Sequence, residues 1–478
     1  MLSVWQWLLI GVVSFFLPMF LYIPMMFFGM KSMGVERRTK GSFGFFHPFT
    51  NDGGGGERVL WCAVKAVQEE CPQSDVIIYT VDMATPESLA ARAADKFGVK
   101  LPQPLSVARL FRRSWIEAKS YPRLTILGQS LGSIVLAWEA LNLFMPEVFI
   151  DTSGYAFTYP LARLFGCRVV SYTHYPTISL DMLTRVKSRR ALYNNDQAIA
   201  QSGLLSGVKV QYYRLMAFLY GLAGARADVV MVNSSWTEAH INGIWKVPQR
   251  TFRVFPPCDT ESLQALPLER PEKGRYLLSV AQFRPEKDHR LQLKAFAAAL
   301  NKASGREAGA RGNDFSVDWR LKLVGSSRHK EDEKRIDDLR ALARELGIAN
   351  RVDFHVNSPY SELQKLLGGA SAGLHTMLDE HFGIVVVEYM AAGAVPIAHR
   401  SGGPQADIVV PVPQVGLLAE TVDEFAEAIH TVLKWPEAKR KSVAQAAREK
   451  AKEFSGERFT TDFKRAVYPV LPNDKKAK

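Results

Sequence analysis

Hydrophobicity along this chain changes character between three regions. From Val4 to Met30 the run VWQWLLIGVVSFFLPMFLYIPMMFFGM carries no charged residue. It is long enough to cross the apolar core of a bilayer, so the pattern predicts a membrane anchor over residues 1–30. A buried or interfacial segment is the alternative, because Pro18 and Pro24 interrupt the run. Beyond residue 40, short β-rich apolar runs alternate with longer stretches of helical period. They fall at Ser42–Phe46, Val76–Val81, Leu124–Leu127, Val148–Ile150, Arg168–Tyr172 and Asp228–Val232. That alternation predicts a parallel sheet with crossover helices, a doubly wound α/β domain over 40–258. The rhythm pauses at Phe255-Pro-Pro-Cys-Asp259 and through the polar stretch to Gly274, which reads as an interdomain linker. It resumes at Tyr276–Val280, Trp319–Val324, Arg351–Phe354, Ala372–His375 and Val395–Ala398, predicting a second α/β domain over 274–455. Residues 456–478 form a C-terminal segment with a basic tail.

Two segments break the pattern. Residues 301–318, NKASGREAGARGNDFSVD, are rich in Gly, Ala and charge and read as a mobile surface loop. Residues 182–226 interleave Arg185, Lys187, Arg189, Arg190, Lys209 and Arg214 with Tyr193, Tyr212, Tyr213, Phe218 and Tyr220. Such an insertion suits a bilayer surface; a solvated helix pair with its aromatics packed inward is the equal alternative.

Composition narrows the picture. At 478 residues and 47% hydrophobic content, the chain is mostly folded, soluble protein. The net charge of +12 favours anionic partners without choosing among nucleic acid, acidic lipid and phosphate-bearing substrates. Cys62, Cys71, Cys167 and Cys258 form no zinc spacing and no dense disulfide pattern, which suits a reducing cytosolic setting. The apolar N-terminal run lacks a basic n-region and a small-residue cleavage site, so it reads as retained. Lys31, Arg37, Arg38 and Lys40 follow it directly, and the positive-inside rule then places the rest of the chain in the cytosol. The final Lys475-Lys476-Ala477-Lys478 matches a dilysine retrieval signal or is simply a frayed basic tail.

Candidate chemistry begins with Gly128-Gln129-Ser130-Leu131-Gly132, which fits the G-x-S-x-G elbow of a serine hydrolase, with Leu124–Leu127 as its strand and Ser133–Leu141 as its helix. A triad needs an acid and then a histidine further along the chain, and the later His289 and His381 fall inside other motifs. In the second domain, LDEHFGIVVVEYMAAG (378–393) places Glu380 and Glu388 around Phe382-Gly383. A loop ending in Gly383 and opening a helix at Ile384 aims free amides at an anion. Glu380 is then placed to accept hydrogen bonds from sugar hydroxyls and Glu388 from a ribose, an arrangement suited to a sugar nucleotide. In the first domain, FHPFTNDGGGGERVL sets Gly53, Gly54, Gly55 and Gly56 between a first strand and a first helix, where backbone amides approach a phosphate without side-chain clash. Ser171-Tyr-Thr-His174-Tyr-Pro176 ends a later strand, where ligands of open α/β sheets bind.

These stretches, together with Ser279-Val-Ala-Gln-Phe-Arg284-Pro-Glu-Lys287-Asp-His289 and Ser401-Gly-Gly-Pro404, resemble glycosyltransferase family 4. The resemblance implies the GT-B fold, with two Rossmann-like domains facing across a cleft. It also implies that Arg284 and Lys287 bind the donor diphosphate, that Glu380 and His174 lie at the transferred sugar, and that Glu388 binds the ribose. The backbone around Phe382, Gly383 and Ile384 joins them at the donor. Nearly the whole chain, including the GQSLG region as scaffold, is similar to the branch of that family that transfers mannose from GDP-mannose in α-1,2 linkage. In that branch the acceptor is a dolichol-diphosphate oligosaccharide at the cytosolic face of the endoplasmic reticulum. The implied partners are GDP-mannose, the dolichol-linked acceptor, the endoplasmic reticulum membrane and other dolichol-pathway mannosyltransferases, with no nucleic acid. No cofactor and no metal are implied, in keeping with a sequence that lacks D-x-D. A family 4 enzyme using another nucleotide sugar or lipid acceptor shares every donor motif, and a hydrolase using Ser130 is the remote alternative. Val324–Ser326 and His355–Asn357, following strands of the second domain, are the expected base-side loops.

Overall fold

In a computed structural model, residues 29–472 are described except 52, 181, 183–202, 272 and 306–316. The expected anchor up to residue 28, most of the first half of the 182–226 insertion, the middle of the 301–318 loop and the terminal KKAK lie outside the described residues.

Two separate parallel sheets carry the architecture. The first has seven strands: β1 (Thr39–Phe46), β2 (Val76–Thr80), β3 (Ser106–Arg109), β4 (Pro146–Asp151), β5 (Arg168–Thr173), β6 (Val229–Val232) and β7 (Thr251–Arg253), in the order β3-β2-β1-β4-β5-β6-β7. The second has six: β8 (Tyr276–Val280), β9 (Arg320–Gly325), β10 (Val352–Val356), β11 (Ala372–His375), β12 (Val395–His399) and β13 (Leu417–Ala419), in the order β10-β9-β8-β11-β12-β13. Every ladder is parallel; in the first sheet, for example, Phe45 aligns with Ile78 on one side and Ile150 on the other. Both faces of such a sheet are covered by crossover helices, so its interior strands read as largely apolar runs. VIIYT of β2 is buried along its whole length.

Sequence order reverses between β1 and β4 in the first sheet and between β8 and β11 in the second. Crossovers leave such a switch point in opposite directions, which opens a crevice beyond the strands' C-terminal ends. Two crevices are therefore fixed by topology alone. Around them sit five helices used below: α1 (Gly55–Glu70), α2 (Thr125–Leu143), α3 (Gly203–Gly224), α4 (Ile384–Ala392) and α5 (Gly456–Val467). In α1, Val59, Leu60, Ala63, Val64 and Val67 repeat at helical spacing and are all buried against the first sheet.

Several expectations are corrected. Leu124–Leu127 is not a strand: Thr125 opens α2, and Leu124 caps it in the left-handed region at φ 54°. A short apolar run does not by itself distinguish a strand from the first turn of a buried helix. Three strands without a clear sequence signal, β3, β7 and β13, are the short strands at sheet edges. The helix His289–Ala303 runs into the segment read as a loop from residue 301. Most consequential is the C-terminal segment. Phe459, Phe463, Ala466 and Val467 of α5, with Val470 and Leu471, belong to the same buried cluster as Val59 and Val64 of α1. Arg168 of β5 donates to the carbonyls of Val470 (2.9 Å) and Leu471 (2.6 Å). The chain thus crosses between domains twice, and the crossings touch where the Cys258 amide donates to the Phe454 carbonyl (3.0 Å).

Candidate active site

The loop after β8 builds one wall. Ala281, Gln282 and Phe283 lead into a 3-10 turn, Pro285–Lys287, and Asp288 then turns left-handed (φ 44°) to cap the helix His289–Ala303. The turn is clamped to the neighbouring β11 loop, where the Thr376 hydroxyl donates to the Lys287 carbonyl (2.8 Å) and accepts from Gln292 (2.9 Å). This places the Lys287 ammonium 2.7 Å from Glu380 Oε2 and 3.0 Å from the sulfur of Met377. His375, the last residue of β11, brings Nε2 to 3.2 Å of the same Glu380 oxygen. Burial alone would raise the Glu380 carboxyl pKa. The His375 hydrogen bond and the Lys287 charge overcome it and hold the group well below the usual carboxylate range. Glu380 is therefore a fixed anion.

Its backbone is positioned from below by the Ser401-Gly-Gly-Pro404 loop. The Gly403 amide donates to the Glu380 carbonyl (2.8 Å), and the Asp379 amide donates to the Ser401 hydroxyl (2.7 Å). A Cβ on Gly402, which has φ 60°, would stand 2.1 Å from the Glu380 carbonyl oxygen. Only glycine permits so close an approach. Gly383 (φ 108°) then turns the chain into α4 with no side-chain cap, leaving the first-turn amides of Ile384 and Val385 without helical acceptors. A helix end of this kind attracts an anion.

Across the cleft stand the first domain's residues. The glycine loop is held in place, because the Gly53 amide donates to Glu57 Oε2 (2.7 Å) and Glu57 is paired with Arg92. Gly55 approaches Ile384 so closely that a Cβ there would lie 2.3 Å from its Cδ1. His174 donates from Nε2 to the Thr152 carbonyl (3.1 Å), and its own carbonyl accepts from Asn233 (2.9 Å). Burial lowers the imidazole pKa to about 4, which the Thr152 contact opposes and His381 reinforces, so His174 is neutral near pH 7. His381 is lowered to about 4 as well, by burial first, with Glu380 opposing. The His381 ring lies 4.1 Å from that of Tyr175 and 5.4 Å from that of Trp236, and the Ser235 amide donates to Asp407 (2.8 Å). These contacts join the domains around the cavity.

The cavity they enclose, about 530 Å³, is walled by Gly55, Gly56 and His174 on one side and by Lys287, His375, Glu380, His381, Phe382, Gly383 and Ile384 on the other. A smaller cavity of about 300 Å³ shares Gly56 and His174 with it and continues into the first domain along His47, Phe49, Gly54, Glu57, Thr152, Ser153 and Tyr155. Most of the residues singled out by sequence therefore converge. Arg284, Glu388 and Gly54 do not reach the wall of the larger cavity. Arg284 caps the 3-10 turn through its backbone. Glu388 lies one turn along α4, where burial pushes its carboxyl up to about 7, Arg58 opposing and Asp259 adding to the rise. Gly54 walls only the smaller cavity. The expected base-side loops follow β9 and β10, where the Asn357 side chain accepts from the Ser327 amide (2.9 Å). His375 and His47 went unassigned in the sequence. The rule that drew attention to His174, a polar residue at a strand's C-terminal end, applies equally to His375.

Ser130 has no part in this site. It lies in the middle of α2 with its hydroxyl donating to the Ile126 carbonyl (2.6 Å), so the G-x-S-x-G match is a helix segment and no elbow exists.

Comparison with known proteins agrees with this geometry. Residues 40–245 match the family described as ALG11 mannosyltransferase N-terminus, and residues 264–450 match glycosyl transferases group 1. A human protein named GDP-Man:Man(3)GlcNAc(2)-PP-Dol alpha-1,2-mannosyltransferase is 46% identical over 429 residues, 88% of this chain and 86% of its own. A Xenopus laevis protein of the same name is 44% identical over 92% of this chain and 90% of its own. Among solved structures, a glycosyltransferase from Rickettsia africae superposes with a TM-score of 0.60 at 15% identity, covering 91% of this chain and all of its own. A sucrose-phosphate synthase from Thermosynechococcus elongatus gives 0.60 at 18% identity, covering 90% of this chain and 99% of its own. Those two likenesses carry the GT-B fold alone. With each half matched in turn and relatives aligned nearly end to end, the chain belongs to the ALG11 family of mannosyltransferases, enzymes of the group 1 glycosyltransferase class.

Proposed function

We propose that this enzyme transfers mannose from GDP-mannose, with retention and in α-1,2 linkage, to a dolichol-diphosphate-linked oligosaccharide. In this reading it adds the fourth and fifth mannoses at the cytosolic face of the endoplasmic reticulum, held there by residues 1–30. One observation carries the reading: the Lys287–Glu380–His375 cluster and the amide end of α4 face Gly55, Gly56 and His174 across a single cavity. The diphosphate lies against the α4 amides with Lys287, and with Arg284 nearby. Glu380 and His174 hold the mannose, and Glu388 takes the ribose. Cationic and amide donors stabilise the charge that develops as the bond from the anomeric carbon to the diphosphate breaks. The acceptor hydroxyl attacks from the same face, and its proton passes to the departing phosphate oxygen. The name shared by the relatives favours GDP-mannose and the dolichol acceptor over another nucleotide sugar or lipid.

The test is transfer of radiolabelled mannose from GDP-mannose to a dolichyl- or phytanyl-diphosphate trimannosyl-chitobiose, with and without EDTA. A product two hexoses larger, sensitive to α-1,2-mannosidase and formed equally in EDTA, is expected. Transfer from another nucleotide sugar alone, or loss of activity in EDTA, would overturn the donor assignment or the metal-free mechanism respectively.

A further inference from the structure

One buried carboxylate outside the cavity wall spans the cleft. Asp407, 8% exposed, belongs to the second domain and lies in a single π turn, Pro404–Ile408, closed by the Val409 amide donating to the Pro404 carbonyl (2.8 Å). Its Oδ2 accepts from the Ser235 amide of the first domain (2.8 Å), and its Oδ1 accepts from the Ser235 hydroxyl. Arg253 of β7 donates to the same hydroxyl and stands 3.7 Å from Oδ1. Ser235 is the first residue of the helix Ser235–Trp245, which Ser234 caps. The carboxylate therefore meets the amide end of a helix from the other domain, where the macrodipole adds to the attraction. That helix is seated closely on α3: a Cβ on Gly221 would stand 2.6 Å from the Ile244 carbonyl, and the rings of Tyr220 and Trp245 lie 5.3 Å apart.

Both ends of this contact lead to the donor cavity. On the first-domain side, Asn233 stands two residues before Ser235, walls the cavity and donates to the His174 carbonyl (2.9 Å). Asn233 is itself fixed, because its Oδ1 accepts from the Thr237 hydroxyl (2.6 Å) in the first turn of the same helix. On the second-domain side, Gly403 lies four residues before Asp407, and its amide donates to the Glu380 carbonyl (2.8 Å). Pro404 packs on Gly383, where an added Cβ would meet its ring at 3.2 Å. Short hydrogen-bonded stretches thus connect Asp407 to His174 on one wall and to Glu380 on the other. The ring contacts of His381 with Tyr175 and Trp236 leave room to slide. A carboxylate held by an amide, a hydroxyl and a guanidinium fixes direction as well as distance.

We propose that Asp407 is a positioning residue for mannose transfer: by holding the first turn of Ser235–Trp245 it sets His174 in register with Glu380 across the donor cavity. Asp407 does not wall that cavity, so it acts through Asn233 and Gly403. The inference rests on the donor site proposed above. Reacting groups supplied by two domains must meet within a fraction of an ångström, and a misplacement near 1 Å costs about 100-fold in rate.

The test compares turnover, donor affinity and cleft geometry in the full chain. Asp407→Ala and Ser235→Pro should each lower kcat about tenfold to 100-fold, while the Kd for GDP, read by calorimetry, stays within about threefold of the parent. GDP affinity is spared because Lys287 and the α4 amides belong to the second domain. Proline is accepted at the first helical position, and Ser234, at φ −163° and ψ 163°, already has the extended backbone that proline requires before it. Ser235→Pro therefore removes the amide and hydroxyl that Asp407 uses, keeps the helix, and carries the test if Asp407→Ala fails to fold. Asp407→Asn retains an acceptor for the amide and should lose less than Asp407→Ala. Combining Asp407→Ala with Ser235→Pro should cost no more than the worse single change. Spin labels at the exposed Glu87→Cys and Asp337→Cys, in a Cys62→Ser background because the other cysteines are buried, report the distance between domains. Its distribution should broaden in both variants. Parent-like kcat in Ser235→Pro would overturn the proposal. So would a lowered kcat with an unchanged distance distribution, or with GDP affinity lowered as much as turnover, since either assigns the loss to something other than register. A broadened distribution in a chain that transfers no mannose at all would leave the contact's role standing and place the failure in the proposed reaction.

Discussion

Lys287 and Glu380 meet at 2.7 Å although 93 residues separate them, because the loops after β8 and β11 leave adjacent strands at the switch point of the second sheet. Each holds the other in the cavity wall. Lys287→Ala and Glu380→Gln should each lower kcat/KM by about 100-fold or more. The double variant should lose little beyond the worse single one, since the residues act as a unit. Multiplicative losses in steady-state kinetics would separate their roles.

Gly402→Ala tests how finely Glu380 is placed. The added methyl would meet the Glu380 carbonyl at 2.1 Å, and alanine is strained at φ 60°. The loop must shift by something near an ångström, which in a positioned site costs about 100-fold in kcat. Donor affinity, read by isothermal titration with GDP, should change far less than turnover.

Ser130→Ala should leave transfer within about twofold of the parent and lower stability by no more than about 1 kcal/mol, because it removes one hydroxyl-to-carbonyl bond inside a helix. Abolished transfer with normal thermal unfolding would reinstate a chemical role for the serine.

Glu388 gives a pH signature. Its carboxyl is raised to about 7 by burial, so the folded chain holds a proton that the unfolded chain releases near pH 4.5. Stability from this group is full below pH 4.5 and declines until about pH 7, an effect on the order of 3 kcal/mol. Glu388→Gln lacks that decline. Its thermal stability relative to the parent should rise between pH 5 and 7 and level off above. A difference independent of pH would show that the carboxyl is already ionised.

Interior strands were legible because a strand covered on both faces reads as a short, nearly continuous apolar run, as VIIY and AGL do before the polar Thr80 and His375 that end them. Of the four edge strands, β10 was legible and three were not. SVAR, TFR and LLA are three or four residues long and partly exposed, and they carry little beyond background. LTIL looked like a strand because it was read without the helical period that continues to Leu143. Within the site, Lys287, Glu380 and Gly383 were readable as local motifs. His375 went unassigned although it ends a strand and stands only five residues before Glu380, because the motif was read from Leu378 onward and the strand-end rule was applied to His174 alone. Glu388 and Arg284 share those motifs yet are not among the residues that wall the larger cavity.

The return of α5 to the first domain bears on how the protein is made. The α/β strands of that domain are complete once Arg253 has been synthesised, but one face of its core still lacks Phe459, Phe463 and Leu471. At ordinary elongation rates of about 5–20 residues per second, the missing cover follows roughly 10–40 s later. During that interval the nascent domain presents an apolar surface to chaperones. A premature stop between residues 386 and 455 would leave that surface open permanently, even though every residue walling the donor cavity had been translated.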